Sequence, residues 1–422
     1  MGRLQFGLRL EQAMPLKPTA IVFSLRAIAA LALAGVLGAA GAYAANNTVT
    51  GEKKANEFQT AAPYAILLDA DNGTVLFEKG ADTPVPPSSL AKLMTAELVF
   101  QALTEGKIKL ENEYLVSENA WRRGGAPSRT SSMFAELHSR VKVKDLISAV
   151  IIQSANDACI VLAEGIAGNE TAFAIRMNAR AKELGLTSAN FTNATGLPDK
   201  VMKISVRDLS KLAQHINRTY PQFYGIYGEK EFTWNNIRQY NRNPLLNLGI
   251  GADGMKTGFT NDGGYGLVGS AVQGGWRLIV VVNGLKTDKE RAEEGKRLLE
   301  WGFLSFEARL LFAEGQNIGD AKVYGGATGT VPLVAKGPVN IMVQRNMTER
   351  VVARIVYTGP VPAPITQGQQ IAKLRVSRGD IVALEVPLQA ADSVAAGTMT
   401  GRAMDAVSEL FVNIIRSGTG KL

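Results

Sequence analysis

The sequence contains very few of the residues that build metal sites and disulfide networks. Its 422 residues include one cysteine, Cys159, and two histidines, His138 and His215. A single cysteine cannot form an internal disulfide, and a structural zinc site takes four cysteine or histidine ligands. The sequence therefore predicts neither a disulfide framework nor a Cys/His metal cluster. We expect the protein to work without a metal and without any other cofactor.

Runs of like charge are also missing. The chain has 46 basic and 38 acidic residues, a formal net charge of +8. The first 44 residues hold four basic residues and one acidic residue, so the remainder holds 42 and 37 and carries a net charge of +5. A small excess spread in this way is typical of a solvated surface, not of a phosphate-binding face. We therefore predict that nucleic acid is not a partner.

The apolar run near the N-terminus is short for a membrane span. Residues 27–41 are small and apolar, whereas a helix that crosses a bilayer needs roughly 20 such residues. The run follows basic residues and ends in Ala42-Tyr43-Ala44, the small-x-small pattern of a signal peptidase site. We predict a signal peptide over residues 1–44 and a mature protein that works outside the cytoplasm. An uncleaved membrane anchor is the alternative, and Met14 is an alternative start to Met1.

The C-terminus has a helical pattern of its own, predicted over residues 401–417. Its apolar residues recur at steps of three and four, which is typical of an amphipathic helix. They are Met404, Val407, Leu410, Phe411, Ile414 and Ile415. The helix is terminal and follows a loose stretch, so we predict that it lies at a membrane surface. Docking on its own domain or on a partner is the alternative.

Between these ends the chain has two styles of pattern. Long helical patterns mixed with short strand patterns over residues 58–308 indicate a mixed α and β unit. The clearest are helical at 146–166 and 172–184, and extended at 64–68 and 277–283. Short alternating runs separated by glycine and proline over residues 309–389 predict a small β domain. Those runs cover residues 330–334, 339–344, 351–357 and 381–386.

A serine and a lysine three residues apart form the first chemical motif. Two prolines precede Ser88 and Ser89, and good helix formers follow, so Ser89 and Lys92 should share one face of a first helical turn. The amine of Lys92 can then reach the Ser89 hydroxyl and activate it as a nucleophile. A second serine-lysine pair, Ser139 and Lys142, has the same spacing, but its polar surroundings indicate a solvated loop.

The second motif is Ser154-Ala155-Asn156, at the end of an apolar stretch. Buried polar groups need hydrogen-bond partners, so these side chains serve either a site or a satisfied structural bond. The same letters recur at residues 188–190, after a Leu-Gly-Leu sequence that ends a helix. Capping or turn formation explains that second copy.

The third motif is Lys256-Thr257-Gly258. The glycines before it fit a dinucleotide-binding fingerprint, but a turn follows them where that fold needs a helix. A phosphate-binding loop is excluded as well, because Met255 occupies the position of its lysine. What remains is a strand that turns back into a second strand, with an edge along which an extended peptide can lie.

Taken together and in this order, the three motifs resemble those of the penicillin-binding protein and serine β-lactamase superfamily. The closer resemblance is to low-molecular-mass penicillin-binding proteins, the D-alanyl-D-alanine carboxypeptidases of type 5 and 6. The segments that carry it are Ser-Leu-Ala-Lys-Leu-Met-Thr at 89–95, Gln-Ser-Ala-Asn-Asp-Ala-Cys at 153–159, Asn-Arg-Asn at 241–243 and Gly-Met-Lys-Thr-Gly at 254–258, with the β domain and the terminal helix. The sequence departs from the family at Ala155, where glycine is frequent, and at Phe259, where some members have histidine.

The resemblance implies a role for each matching residue. Ser89 would be the acylated nucleophile, Lys92 its base, and Ser154 the relay of protons to the leaving amine. Asn156 would hold the substrate amide, Lys256 would order the proton network, and Gly258 belongs to the same strand motif. The backbone N–H groups of Ser89 and Phe259 would form the oxyanion hole. Thr257 and Arg291 would bind the terminal carboxylate, and Arg242 would lie near the site.

The resemblance also implies fold and function. We expect an α/β, transpeptidase-like catalytic domain with an antiparallel sheet between helices, then the small all-β domain and the amphipathic helix. The expected activity removes the terminal D-alanine from peptidoglycan stem pentapeptides, with β-lactams as inhibitors. The expected location is the periplasm, at the outer face of the cytoplasmic membrane. The alternatives are a D,D-endopeptidase that cuts cross-links, a β-lactamase, and a non-catalytic wall-binding scaffold.

Overall fold

The computed structural model describes residues 9–12, 58–345, 351–378 and 381–399. Apart from residues 9–12, which form a short strand, the predicted signal peptide lies outside the described residues. The predicted C-terminal helix, residues 401–417, lies outside them as well.

Helices dominate the first part of the described chain. They are α1 (Lys92–Thr104), α2 (Glu118–Gly124), α3 (Val143–Ile152), α4 (Asn156–Ala167), α5 (Glu170–Glu183), α6 (Val206–Thr219), α7 (Pro221–Tyr224) and α8 (Asp288–Ser305). Four of them begin at a side-chain cap that accepts a backbone N–H, as expected of serine, threonine and asparagine. The caps are Ser117, Asn169, Ser205 and Thr287. Within the described residues, only α4 and α5 together reach the length and apolarity of a membrane span, and they are bent by 82°.

An antiparallel five-stranded sheet forms the centre of the first part. The strands up to α8 are β1 (Arg9–Gln12), β2 (Tyr64–Asp69), β3 (Val75–Lys79), β4 (Glu113–Leu115), β5 (Arg140–Lys142), β6 (Glu231–Trp234), β7 (Ile237–Tyr240), β8 (Ala252–Thr260), β9 (Gly264–Gln273) and β10 (Trp276–Leu285). The sheet order is β3-β2-β10-β9-β8, so β8 lies at an edge. The predicted antiparallel sheet is confirmed.

Both faces of this sheet are buried. Because side chains alternate along a strand, Ile279 and Val281 of β10 contribute to one core and Val280 and Val282 to the other. The first core also contains apolar residues of α1, α3, α4 and α6, and the second contains Leu298 and other residues of α8. The sheet thus lies between helices, with β8 facing the first turn before α1.

The second part of the chain is all β, as expected. Its strands are β11 (Phe306–Phe312), β12 (Gly319–Tyr324), β13 (Thr330–Ala335), β14 (Val339–Gln344), β15 (Val351–Tyr357), β16 (Val361–Pro362), β17 (Gln370–Arg378) and β18 (Ile381–Ala390). A sheet of order β1-β15-β17-β18-β13-β12-β16 packs with the pair β11-β14 around one core. Strand β11 begins at Phe306, so it runs across residues 308 and 309, where the sequence analysis divided the chain.

One helical pattern of the sequence analysis is two helices in the structure. The predicted run over 146–166 is divided into α3 and α4 at residues 153–155. Ser154 has a φ of 65°, in the left-handed region, which a continuous helix does not allow. Residues on both sides pack into the same core, so the apolar pattern continues through the break.

Candidate active site

The Ser89 hydroxyl and the Lys92 amine meet at the start of α1. Residues Ser88–Ala91 form a single 3-10 turn that leads directly into the helix. Lys92 Nζ donates to Ser89 Oγ at 3.0 Å and also to the backbone carbonyl of Thr195. The Lys92 side chain is only 1% exposed. The spacing of three residues therefore brings the lysine amine to the serine hydroxyl, as the sequence predicts.

The surroundings of Lys92 favour its neutral form. Burial, together with the charge of Arg242, lowers its pKa to about 8, whereas Cys159 and Asp157 oppose the shift. Lys92 is also the first residue of α1, where the helix dipole disfavours a positive charge. An amine with a pKa near the working pH can accept a proton from a hydroxyl and give it up again.

A loop far away in the sequence holds the lysine in place. The side chain of Asn193 accepts hydrogen bonds from the backbone N–H groups of Thr195 and Gly196, at 3.1 and 2.8 Å. Gly196 has a φ of +77°, and a Cβ at this position would lie 1.9 Å from the carbonyl oxygen of Ser88. Sequence reasoning missed Thr195 and Gly196. The Asn-Ala-Thr-Gly turn was visible, but nothing in the sequence linked it to Ser89.

Ser154 and Asn156 follow the break between α3 and α4. Both side chains are buried, yet Ser154 Oγ and Asn156 Oδ1 have no hydrogen-bond partner. Asn156 Nδ2 donates to Thr130 Oγ1 at 2.9 Å. Buried polar atoms without partners are uncommon, and at this position they remain available to a bound molecule. The copy at Ser188 differs, because its hydroxyl bonds Asp208 at 2.6 Å in a turn.

Asp157 was not singled out in the sequence. This buried carboxylate accepts hydrogen bonds from Ser132 Oγ at 2.7 Å and from the backbone N–H groups of Met133 and Ala135, at 3.0 and 3.2 Å. Burial raises its pKa, and these hydrogen bonds oppose that shift. Asp157 thereby fixes the segment that follows Thr130, the partner of Asn156. An acidic residue within an apolar helix was the available signal.

The edge strand β8 brings the third motif against the first. Lys256 is buried, and its Nζ donates to the carbonyl of Thr257 at 3.3 Å. Burial lowers the Lys256 pKa well below its ordinary value, and the charge of Lys92 adds to this. A Cβ on Gly258 would lie 3.1 Å from the backbone nitrogen of Ser89. Glycine therefore lets the strand backbone approach the Ser88–Ala91 turn closely.

The motifs meet at a cleft of about 690 Å³. Of the predicted site residues, Ser89, Asn156, Arg242 and Phe259 line it. Thr130, Ser131, Thr195 and Gly196 line it as well. Lys92, Ser154, Lys256 and Thr257 are buried. Arg291 does not line the cleft, and its guanidinium lies over the ring of Tyr265, 5.4 Å from the centroid.

Arg242 lies beside the cleft, whereas the second serine-lysine pair lies in different surroundings. Arg242 Nη1 donates to Ser131 Oγ at 2.9 Å, so Arg242 lies beside the cleft, near the site as expected. The alternative serine, Ser139, is half-buried, and its hydroxyl donates to the carbonyl of Glu136 at 2.7 Å. Lys142 is exposed. The structure therefore gives this second serine-lysine pair no buried base.

The chain matches two family models. Residues 49–287 match the model described as D-alanyl-D-alanine carboxypeptidase, and residues 306–396 match the model of the C-terminal domain of penicillin-binding protein 5. The D-alanyl-D-alanine carboxypeptidase DacC of Escherichia coli (strain K12) is 39% identical over 349 residues, covering 82% of this chain and 87% of that protein. DacA of Haemophilus influenzae is 40% identical over 319 residues, covering 75% and 81%.

Solved structures are similar as well. Penicillin-binding protein 5 from Haemophilus influenzae has 38% identity and a TM-score of 0.69, covering 80% of this chain and 99% of that chain. Penicillin-binding protein D2 from Listeria monocytogenes, in its ampicillin-bound form, has 30% identity and a TM-score of 0.53. It covers 58% of this chain and 99% of its own.

Proposed function

The chain belongs to the D-alanyl-D-alanine carboxypeptidase family, and from this premise we propose how its residues carry out the reaction. It is a serine-type D-alanyl-D-alanine carboxypeptidase of the low-molecular-mass, type 5/6 class of penicillin-binding proteins. The observation that carries the residue assignment is the 3.0 Å contact between Lys92 Nζ and Ser89 Oγ beside the cleft. The substrate is the D-alanyl-D-alanine end of the peptidoglycan stem pentapeptide.

Acylation begins with proton transfer from Ser89 to Lys92. The neutral amine takes the hydroxyl proton as Ser89 Oγ attacks the carbonyl carbon of the penultimate D-alanine. The backbone N–H groups of Ser89 and Phe259 donate to the oxyanion that forms. The close approach of the Gly258 backbone to Ser89 supports this pairing of donors from the turn and the strand.

The acyl-enzyme forms when the terminal D-alanine leaves. The amine of the leaving D-alanine must gain a proton. Ser154 passes the proton from Lys92 to that amine, and Lys256 orders this hydrogen-bond network. The unpartnered hydroxyl of Ser154 supports this role, because no structural bond occupies it. Water then hydrolyses the ester on Ser89 and restores the free hydroxyl.

Substrate binding uses the open edge of β8. The edge strand offers its backbone to an extended peptide, and Asn156 Oδ1 is free to accept the N–H of a substrate amide. Thr257 and Arg291 bind the terminal carboxylate, and Arg242 adds positive charge beside the cleft. We infer that β-lactams acylate Ser89, an inference supported by the ampicillin-bound relative.

The cellular location is proposed from the sequence. A signal peptide over residues 1–44 exports the chain to the periplasm, where its substrate lies. The amphipathic pattern over 401–417 then attaches it to the outer face of the cytoplasmic membrane. The division into a catalytic part, 58–308, and a β domain, 309–389, stays part of this proposal.

Release of D-alanine tests the assignment. Ser154→Ala removes a hydroxyl that has no partner, so the melting temperature should change by less than about 2 °C, while D-alanine release falls about 100-fold or more. The matched variant Ser188→Ala loses bonds to Asp208 and Ser205, so it should lower the melting temperature and leave release unchanged. Full activity in Ser154→Ala would remove Ser154 from the mechanism.

A further inference from the structure

Arg291 has few contacts for a residue that must present its guanidinium to a substrate. It lies in the first turn of α8, half-buried, and its Nε is buried without a hydrogen-bond partner. Among the described residues, none forms an ion pair or a side-chain hydrogen bond with its guanidinium. A group without a carboxylate partner is available to a ligand carboxylate. Its orientation, however, must come from another kind of contact.

That contact is the ring of Tyr265. The centre of the Arg291 guanidinium lies 5.4 Å from the ring centroid, within the range of a cation–π interaction. Tyr265 is fixed in turn by Phe259, whose ring stacks on it with centroids 4.2 Å apart and planes at 30°. Phe259 lines the cleft and is 48% exposed. One aromatic pair therefore connects the arginine with the cleft.

The pairing of β8 with β9 determines which face of the sheet carries Phe259, Tyr265 and Thr257. Thr257 is opposite Leu267, and Phe259 is opposite Tyr265. Leu267 belongs to the core that α8 covers, and the partly buried Tyr265 packs against that core. Because side chains alternate along a strand, Thr257 and Phe259 lie on the same face as Tyr265. The Tyr265 ring thus lies on the face that carries Thr257, with Arg291 beside it.

We propose that Tyr265 is a positioning residue that selects for a free C-terminal carboxylate on the substrate by holding the Arg291 guanidinium against its ring. The inference rests on the proposed function, in which Arg291 and Thr257 bind that carboxylate. An arginine side chain has many rotamers, and removing the ring frees them. Tyr265 also stacks on Phe259, whose backbone N–H serves the oxyanion, so a loss on the carboxylate peptide alone distinguishes the positioning of Arg291 from a disturbed Phe259.

The test compares two synthetic peptides that differ only at the C-terminus. One ends in D-alanyl-D-alanine with a free carboxylate and the other in the corresponding amide, and the readout is the ratio of their kcat/KM values. Tyr265→Leu should lower the wild-type preference for the carboxylate about 3- to 30-fold, the range expected for loss of a cation–π contact. The change should come from KM of the carboxylate peptide. Tyr265→Phe keeps the ring and should keep the ratio within about 2-fold.

Two further variants show whether the loss of preference is specific to the contact between Tyr265 and Arg291. Tyr240→Leu removes a tyrosine ring that also has an arginine over it, Arg238 at 5.1 Å, and should leave the ratio unchanged. In an Arg291→Ala background, Tyr265→Leu should have no additional effect, because its partner is gone. A Tyr265→Leu protein that loses activity equally on both peptides, or that keeps the wild-type ratio, would overturn the inference alone.

The same measurements also test the premise that Arg291 binds the terminal carboxylate of the substrate. If Arg291→Ala keeps the carboxylate preference, the role of Arg291 fails and the inference fails with it. If the wild-type protein cleaves the D-alanyl-D-alanine bond of neither peptide, the proposed function itself is overturned. Only a lower ratio in both Arg291→Ala and Tyr265→Leu, without additivity in the double variant, supports the positioning role.

Discussion

At the scale of single residues, the proposed mechanism depends on basic side chains that are close together and poorly solvated. Lys92 and Lys256 are both buried, and burial lowers the pKa of each. The charge of Arg242 lowers both values further, and the charge of Lys92 also lowers the pKa of Lys256. Burial without a carboxylate partner makes the charged form of a lysine expensive. No described carboxylate forms an ion pair with Lys92. A pKa of about 8 leaves a much larger share of the Lys92 amine neutral near pH 7 than the ordinary lysine value would.

This environment predicts the pH dependence of acylation. The base must be neutral, and the pKa of Lys92 is lowered from its ordinary value to about 8. Below that value the rate of β-lactam acylation should rise about tenfold per pH unit, and it should level off above it. Stopped-flow acylation between pH 5.5 and 9.5 measures this directly. A rate that is flat or falls between pH 6 and 8 would mean that Lys92 is not the base.

The sequence predicted the part of the site that is local in the chain. Ser89 and Lys92 are three residues apart, and helical geometry alone brings them together. Thr195 lies 103 residues beyond Lys92, so no periodic pattern connects the two. Ser154 and Asn156 were recognisable as a motif, but their free hydrogen-bonding atoms were not. The contact of Arg291 with Tyr265 also depends on strand pairing, which the sequence does not specify.

At the scale of elements, the site depends on close approaches between a turn, a loop and a strand. Gly196 is the clearest case, because a Cβ there would collide with the carbonyl oxygen of Ser88. Gly196→Ala should displace the loop that bonds Lys92 and lower acylation at least about tenfold, since small displacements of catalytic groups are costly. Acylation rates and melting curves of the purified variant measure both effects.

Gly168 provides the matched control for that variant. It has a similar backbone conformation, with a φ of +84°, but nothing lies within 4 Å of an added Cβ. Gly168→Ala should lose about 1–2 kcal/mol of stability from the left-handed conformation and keep its acylation rate. Equal acylation rates in the two alanine variants would contradict the role given to the loop.

Element boundaries show where sequence patterns lose information. Strands β2, β10, β13, β14 and β15 were predicted within one or two residues, because alternation or a continuous apolar run marks them. The division between α3 and α4 was missed, since a left-handed Ser154 leaves no mark on hydrophobic periodicity. Strand β17 was missed as well, although Ala372, Leu374 and Val376 alternate with polar residues and were a usable signal.

At the scale of the whole molecule, the two parts are joined through side chains as well as through the chain. Phe306 and Met342 of the second part belong to the core that α8 covers, and Asn72 Nδ2 donates to the carbonyl of Asn340 at 3.2 Å. These contacts place the β domain beside strands β2 and β3, at the edge of the central sheet opposite to β8. The sequence predicted both parts, but not the contacts between them, because the residues in contact are far apart in the chain.

The proposed membrane attachment is a property of the full chain. Removing residues 402–422 should move the protein from the membrane fraction to the soluble fraction without lowering its turnover of a soluble peptide. Phe411→Asp, on the apolar face of the pattern, should have the same effect, whereas Asn413→Asp on the polar face should not. Fractionation followed by immunoblotting measures both. A truncated protein that stays with the membrane would eliminate the helix as the anchor.

The proposed mechanism requires that Ser89 is the acylated nucleophile, and intact-mass spectrometry of the mature protein after incubation with a β-lactam tests this requirement. We predict one adduct, which peptide mapping assigns to Ser89, present in Ser139→Ala and absent from Ser89→Ala. An adduct on Ser139 would contradict the assignment of the nucleophile. Rapid loss of the drug without any lasting adduct would contradict the proposed mechanism, because that result would indicate a β-lactamase.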